Sequence, residues 1–288
     1  MTGVTDGVAA PGLRVRLLKL PLPLYVAAEA QWKGLLREYV LRGLGDFTQT
    51  YGPEEVARAG RALDALSFAV EGLDPSSLLL TAGQHWDVEL HSATVTAEDF
   101  GVLQGVLDDA IRLSHAGELL MLAPLPEVVA LRNWFCDQAL QQAAGAPASP
   151  WQLRGDGPEP PTTRVTWDTS IEPSPETAWL VGDDHNRIVG ASPAALALLG
   201  WTEDQLVGQR LLTVIPPAHR EAHLAAFTRS VVDGVGRILG TPLRLPALRA
   251  DGSEVPIILT LTRHGAHSGR TVFLARMESP QPTDAQPS

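Results

Sequence analysis

The chain of 288 residues has a single cysteine, Cys136. One thiol excludes an intramolecular disulfide and any cysteine-ligated zinc or iron-sulfur site built within one chain. It also predicts a reducing compartment. Long hydrophobic runs are missing, and nothing approaches the ~18 consecutive apolar residues of a membrane-spanning helix. The stretch nearest to a signal peptide, 14–30, is broken by Lys19, Pro21 and Pro23, and Glu29 stands where a small residue would be needed for cleavage. The expectation is a cytoplasmic protein that does not engage membranes. Positive charge is scarce: 22 Lys and Arg against 33 Asp and Glu give a net charge of -11. Such a surface repels phosphate backbones and anionic lipid. The basic residues Arg14, Arg16, Lys19, Lys33, Arg37 and Arg42 are interleaved with acids and apolar residues instead of forming a stripe, so no nucleic-acid partner is expected. No P-loop, GxSxG, HExxH, GxGxxG or kinase catalytic string occurs, and an enzyme is not expected.

What is present is an ordinary globular composition, 44% hydrophobic and 19% charged, at a length that predicts about two domains. Seven of the 23 prolines fall at 147, 150, 158, 160, 161, 173 and 175 among Gly, Ser, Thr and Asp. Proline at that density blocks helix and central strand, which predicts an extended linker over 146–176. Trp151 and Trp167 are out of place in such a spacer and are expected to dock on a neighbouring domain. The segments 1–12 and 279–288 carry no periodic pattern and are expected to be disordered tails.

Residues 13–145 read as a helix-rich α+β domain of unassigned role. Trp32, Leu35, Leu36, Tyr39 and Val40 recur at the spacing of one helical face, as do Val56, Leu63, Leu66, Val70 and Leu73 after Pro53. Thr96 with Asp99 three positions on predicts a capped helix bearing Phe100, Leu103, Leu107, Ala110 and Ile111. A fourth helix follows Pro126 with Val128, Leu131, Phe135 and Ala139 on one face. Strands are expected at 14–18 and 85–95. Up to residue 145 there are 10 basic and 18 acidic side chains, net 10 − 18 = −8, against 12 − 15 = −3 for the remainder. The helical part is the acidic one.

From Thr177 the pattern changes. Residues 178–181 and 187–191 read as strands joined by a run of turn formers, Gly182 to Asn186. A short Pro-Ala helix follows at 193–199, then a small helix capped by Thr202, then a longer helix over about 219–233 ending before Gly234. Strands at 241–248, 254–262 and 271–277 close the domain, the first two joined by Ala250, Asp251 and Gly252. This element order, with "GWTEDQLVGQ" at 200–209, "IPPAHREAHLAAF" at 215–227 and "LRADGSEVPIILTLT" at 248–262, resembles the PAS domain superfamily over about 177–278. The family's second strand often ends in Asn, where this chain has Ser192, a residue equally able to cap the helix that follows.

The resemblance implies a PAS fold, a five-stranded antiparallel sheet wrapped around short helices, and a small apolar cavity that takes a ligand or is filled by side chains. Trp179, Leu198, Trp201, Ile215, His223, Phe227, Leu243, Ile257 and Leu259 are the candidates to line or fill it. It further implies a signal-transduction protein that senses a small molecule or a partner and acts through a protein partner or a homodimer. His223, in "REAH" at 220–223, falls where haem-containing oxygen-sensing PAS domains carry their axial histidine, so a haem-binding gas or redox sensor is the alternative. The position of the distal arginine in those sensors is Leu243 here. A third possibility is a catalytic N-terminal domain regulated by the PAS module. Flavin-adduct photochemistry needs a cysteine beside the flavin, and Cys136 lies outside the resembling segment.

Two other clusters carry bland readings. His85, Asp87, Glu89 and His91 alternate with Trp86, Val88 and Leu90, which would place four polar side chains on one strand face. A divalent metal could use them, but alternation alone lines polar residues up, and a solvated face is expected. Asp108 and Asp109, with Glu118 nearby, suggest a carboxylate pair, but adjacent helical residues point about 100° apart, so they are expected to be solvated and not paired for acid/base work. Cys136, beside Trp134 and Phe135, is expected to be a buried small hydrophobe.

Overall fold

A computed structural model describes residues 12–45, 49–67, 85–154, 165–233, 239–266 and 269–280. The chain divides into two compact units, Met1–Glu159 and Pro160–Ser288. No helix among the described residues is long and apolar enough to cross a membrane.

In the first unit, β1 (Leu13–Pro21) pairs antiparallel with β2 (His85–Ser92). The register shifts between Leu17 and Leu20, where Lys19 takes a left-handed φ of 55° and its N–H reaches Asp87 Oδ1 at 2.9 Å. Helix α1 (Leu22–Gly43) follows without a loop. Pro23 sits in its first turn, where a missing N–H costs nothing, so the apolar face read from Trp32 runs back to Leu22. Val40 departs from that face and is 40% exposed. Helix α2 (Pro53–Ser67) buries Ala59, Ala62, Leu63 and Leu66, whereas Val70 and Leu73 lie outside the described residues.

The strand expected to reach residue 95 ends at Ser92, because Ser92 Oγ accepts from the N–H groups of Thr94 and Val95 and turns the chain. Helix α3 (Ala97–His115) then opens with the expected box, Asp99 accepting from the Thr96 N–H at 2.9 Å. Helix α4 (Pro126–Ala143) buries Val128, Leu131, Phe135, Cys136 and Ala139. Tyr25, Trp32 and Phe135 form a mutually tilted aromatic cluster with ring centroids 5.3–6.5 Å apart.

The expected extended linker is packed at both of its described ends. Trp151 is 5% exposed, its ring lies 5.7 Å from that of Trp134, and its N–H donates to Leu18 O at 2.9 Å. In the second unit Val165 is buried, and Trp167 bridges to Ala266. Aromatic burial of this size outweighs the entropy of a free spacer. Residues 155–164, and the terminal segments 1–11 and 281–288, lie outside the described residues.

The second unit is built on one five-stranded antiparallel sheet with strand order β4-β3-β7-β6-β5. Its elements are β3 (Ala178–Asp183), β4 (Ile188–Ala191), α5 (Pro193–Leu199), α6 (Glu203–Leu206), α7 (Arg220–Asp233), β5 (Leu243–Leu248), β6 (Glu254–Gly265) and β7 (Thr271–Glu278). Ser192 Oγ caps α5 by accepting from Ala195 N–H at 3.1 Å, and it also receives the Trp179 N–H at 2.9 Å. Thr202 and Gln205 make a capping box on α6. Period-2 alternation gives the sheet two faces. On one, Leu180, Ile257 and Met277 pack with Ile188, Ala195, Leu199, Leu206 and Val214. On the other, Trp179, Val181, Val272 and Leu274 pack under Val165, with Trp167 and Ile171 alongside.

Candidate functional site

The helix-bearing face of the second sheet is where a ligand or a filled core was expected. Of the nine candidates, Leu198, Trp201, Ile215, Ile257 and Leu259 all belong to the single cluster around Leu180, Ile188, Leu199 and Leu206. Leu243 is half-buried and stands opposite Leu259 in the β5-β6 register. Phe227 lies on α7 between His223, 6.1 Å away by ring centroid, and Phe273 of β7, 5.9 Å away. Trp179 does not join them. It precedes Leu180 in β3 and so faces the opposite side of the sheet, in the cluster sealed by Val165. Five residues with less than 3% exposure, Leu180, Ile188, Ala195, Leu199 and Leu206, sit in the middle of the helix side, and the described side chains pack against one another there.

His223 is oriented by a residue that sequence reasoning did not single out. Asn186, fully buried at the end of the β3-β4 turn, takes a left-handed φ of 61°, a conformation Asn tolerates. That turn is held by Asp183 Oδ1, which accepts from the N–H groups of His185 at 3.0 Å and Arg187 at 2.9 Å. The Asn186 Oδ1 lies 2.8 Å from His223 Nε2. Burial, reinforced by the positive charge of Arg210, pulls the His223 pKa from 6.5 to about 4, so the ring is neutral near pH 7. A neutral imidazole facing an amide oxygen carries its proton on Nε2. Haem fits these residues poorly: that nitrogen is committed to Asn186, the ring abuts Phe227, and the cluster alongside is already filled by side chains.

Beside this turn, ligand atoms of Asp183, Asp184 and His185 converge within 4.8 Å. The two carboxylates are almost wholly buried, at 3% and 4% side-chain exposure. Their counter-charge is already in place. Arg270, from the β6-β7 connection, places Nε 2.8 Å from Asp184 Oδ1 and one terminal nitrogen 3.2 Å from Asp183 Oδ2, while Thr271 N–H donates to Asp184 Oδ2 at 3.0 Å. The same guanidinium nitrogen is 2.9 Å from His185 Nδ1. The group is therefore a structural clamp between two connections, with arginine where a cation would sit. In the sequence these residues read only as turn formers, and nothing local couples them to Arg270, more than 80 positions on.

The bland readings in the first unit resolve into ordinary pairs. On β2, Asp87 receives the Lys19 N–H, and Glu89 meets both Arg16 and His91. Asp108 pairs with the buried Arg132. Asp109, expected to be solvated, is buried: it accepts from the Tyr39 hydroxyl at 2.7 Å and from Arg112 Nε at 3.0 Å. Tight packing of α1 against α3 brings that hydroxyl to it. Burial and this hydrogen bond push the Tyr39 pKa up to about 12. Burial likewise pushes the Cys136 thiol up to about 12.

The model of the PAS fold matches residues 168–279. Residues 168–279 form a PAS domain. Its start lies nine positions before residue 177, where the sequence pattern changes (177 − 168 = 9), and so takes in the segment around Ile171 that covers the outer sheet face. A curated uncharacterized protein of Azorhizobium caulinodans is 36% identical over 113 residues. That match spans 39% of this chain but 15% of the relative's length. Among solved structures, the chain is similar to the PAS domain of an HTR-like protein from Haloarcula marismortui, at 20% identity, covering 39% of this chain and 87% of that one with a TM-score of 0.30. It is similar also to the PAS domain of nitrogen regulation protein NR(II) from Vibrio parahaemolyticus, at 21% identity, 39% and 96% coverage and a TM-score of 0.29. The PAS domain of the fruit-fly ELK potassium channel matches at 15% identity, 37% and 88% coverage and 0.30. A PAS domain implies a sensory or signalling role for the chain that carries it.

Proposed function

We propose that this is a cytoplasmic signal-transduction protein in which the PAS domain responds to a partner surface or a small ligand and passes the response on through protein-protein contacts, within a homodimer or to another protein. The observation that carries this reading is the PAS fold itself, with its helix side packed by Leu180, Ile188, Leu199 and Leu206 and its outer sheet face covered by a short segment of its own chain. A filled interior favours output by surface contacts over storage of a bulky prosthetic group. Exchange of the cover that Val165, Trp167 and Ile171 give this sheet face for another apolar surface is how a local change becomes a change of partner. The reading gives no catalytic step to the domain.

The test is the solution mass of the full chain by light scattering over the micromolar range, together with native mass spectrometry of the isolated protein. A reversible dimer, weakened by Val165→Asp in a chain that still folds by circular dichroism, or a co-purified small molecule, supports the reading. A monomer at every concentration, with no small molecule retained and no specific partner recovered by cross-linking in cells, overturns it.

A further inference from the structure

The first unit holds a polar cleft of ≈ 400 Å³ between α4 and the irregular segment 149–154, which bridges to Leu18 through Pro150. Its wall is fixed before any ligand arrives. Gln138 Oε1 accepts from Ser149 N–H at 2.9 Å, Gln138 Nε2 donates to Ser149 Oγ at 2.7 Å, and Trp134 Nε1 donates to Ser149 O at 3.3 Å. The Trp134 and Trp151 rings, both in the lining, meet edge to face at 5.7 Å. A segment stapled to a helix in this way is a rigid platform, and rigidity lowers the entropic cost of binding.

Two opposite charges open onto this cleft without pairing with each other. Asp137, on α4, makes no hydrogen bond or ion pair among the described residues, and partial burial raises its pKa. Arg154, in the same segment, reaches the Gln152 side-chain oxygen at 3.5 Å and forms no ion pair among the described residues. A ligand carrying both a cationic and an anionic group a short distance apart would satisfy both. The half-buried Trp134 ring supplies a face for the cationic end or the carbons beside it. The volume suits a small metabolite and is too small for a folded partner. We propose that this cleft binds a free α-amino acid, with Asp137 taking the ammonium group and Arg154 the carboxylate. Arg154 offers the planar donor pair that carboxylates prefer, and Gln141 lines the same cleft where a polar side chain would lie. The first unit would then be a second sensory input, independent of the PAS domain.

The test uses the full chain labelled with 5-fluorotryptophan, with the Trp134 resonance identified through Trp134→Phe. Each proteinogenic amino acid is titrated singly and followed by fluorine NMR and by heat. The expected result is a saturable shift of the Trp134 resonance by at least one of them, with binding weakened about tenfold or more when its carboxylate is amidated or its amine acetylated. Asp137→Asn and Arg154→Gln should each cause a comparable loss while the thermal midpoint stays unchanged. Absence of a saturable shift with every amino acid, equal binding of the capped forms, or undiminished binding by both variants overturns the proposal.

Discussion

His223 Nε2 and Asn186 Oδ1 lie 2.8 Å apart, tying the long helix of the PAS domain to the tip of its first hairpin. Nε2 donates to that oxygen in either charge state, but burial and the nearby Arg210 charge favour the neutral ring. In the folded protein the ring stays neutral until about pH 4, whereas an unfolded histidine protonates near 6.5. Between those values the unfolded chain binds more protons, so stability is full above about pH 6.5 and declines as pH falls toward 4. At ~1.4 kcal/mol per pH unit the loss is at most about 3.5 kcal/mol. His223→Gln keeps a donor for Asn186 and removes the titration. Urea melts at several pH values should show the wild-type slope between pH 6.5 and 4 flattened in the variant, and an unchanged slope would exclude His223 as its source.

Arg270 holds two buried carboxylates, Asp183 and Asp184, that have no other cation among the described residues. Arg270→Met should destabilise the domain by about 3–5 kcal/mol, because it strands charge in a place water reaches poorly. Adding Asp183→Asn and Asp184→Asn to that variant should recover most of the loss, since amide oxygens still accept the turn N–H groups. Chemical denaturation of the single and triple variants measures both, and a triple variant no better than the single one would show that the charge is not what matters.

Trp167 lies against Gly190 so closely that a Cβ there would stand 2.9 Å from the indole ring. Gly190→Ala should push the covering segment off the outer sheet face and cost about 1–3 kcal/mol. In a Trp167→Ala background the same change should cost nearly nothing, a coupling within the range of about 0.5–3 kcal/mol for residues in contact. A double-mutant cycle by thermal or chemical melting reads it directly, with additivity as the contrary outcome.

The PAS domain was legible because its evidence is local. The Ser192 and Thr202 caps, the turn formers before Ile188 and the alternation of β6 each follow from a few adjacent residues. What escaped was whatever depends on distant partners. The bulk of Trp179 suggests the helix-side core, but alternation beside Leu180 puts it on the other face. Asp109 reads as solvated beside Asp108, and its buried partner Tyr39 is 70 positions away, beyond any local pattern. Nothing near Asp184 announced Arg270. The proline-rich segment read as free because proline forbids regular structure, yet irregular chain can still bury a tryptophan, as Trp151 does.

Cys136 makes the first unit report on its own unfolding. Its thiol is fully buried on α4 between Arg132 and Ala139 one turn to either side, and burial holds its pKa near 12, above the ordinary 9.0. The reactive species is the thiolate, so at pH 8 the folded chain presents almost none, while the unfolded chain presents an ordinary thiol. Alkylation by iodoacetamide should therefore follow opening of this unit, proceeding many-fold more slowly in buffer than in denaturing urea. Because the chain has no second cysteine, the modified fraction read by mass spectrometry at each urea concentration gives the unfolding curve of the first unit alone. Tyr39→Phe, which removes the buried hydroxyl bonded to Asp109, should move that curve to lower urea by a loss of about 1–3 kcal/mol. It should leave a PAS-domain signal such as the pH dependence of His223 in place. Rapid alkylation of the native chain would show instead that α4 opens locally, without unfolding of the unit around it.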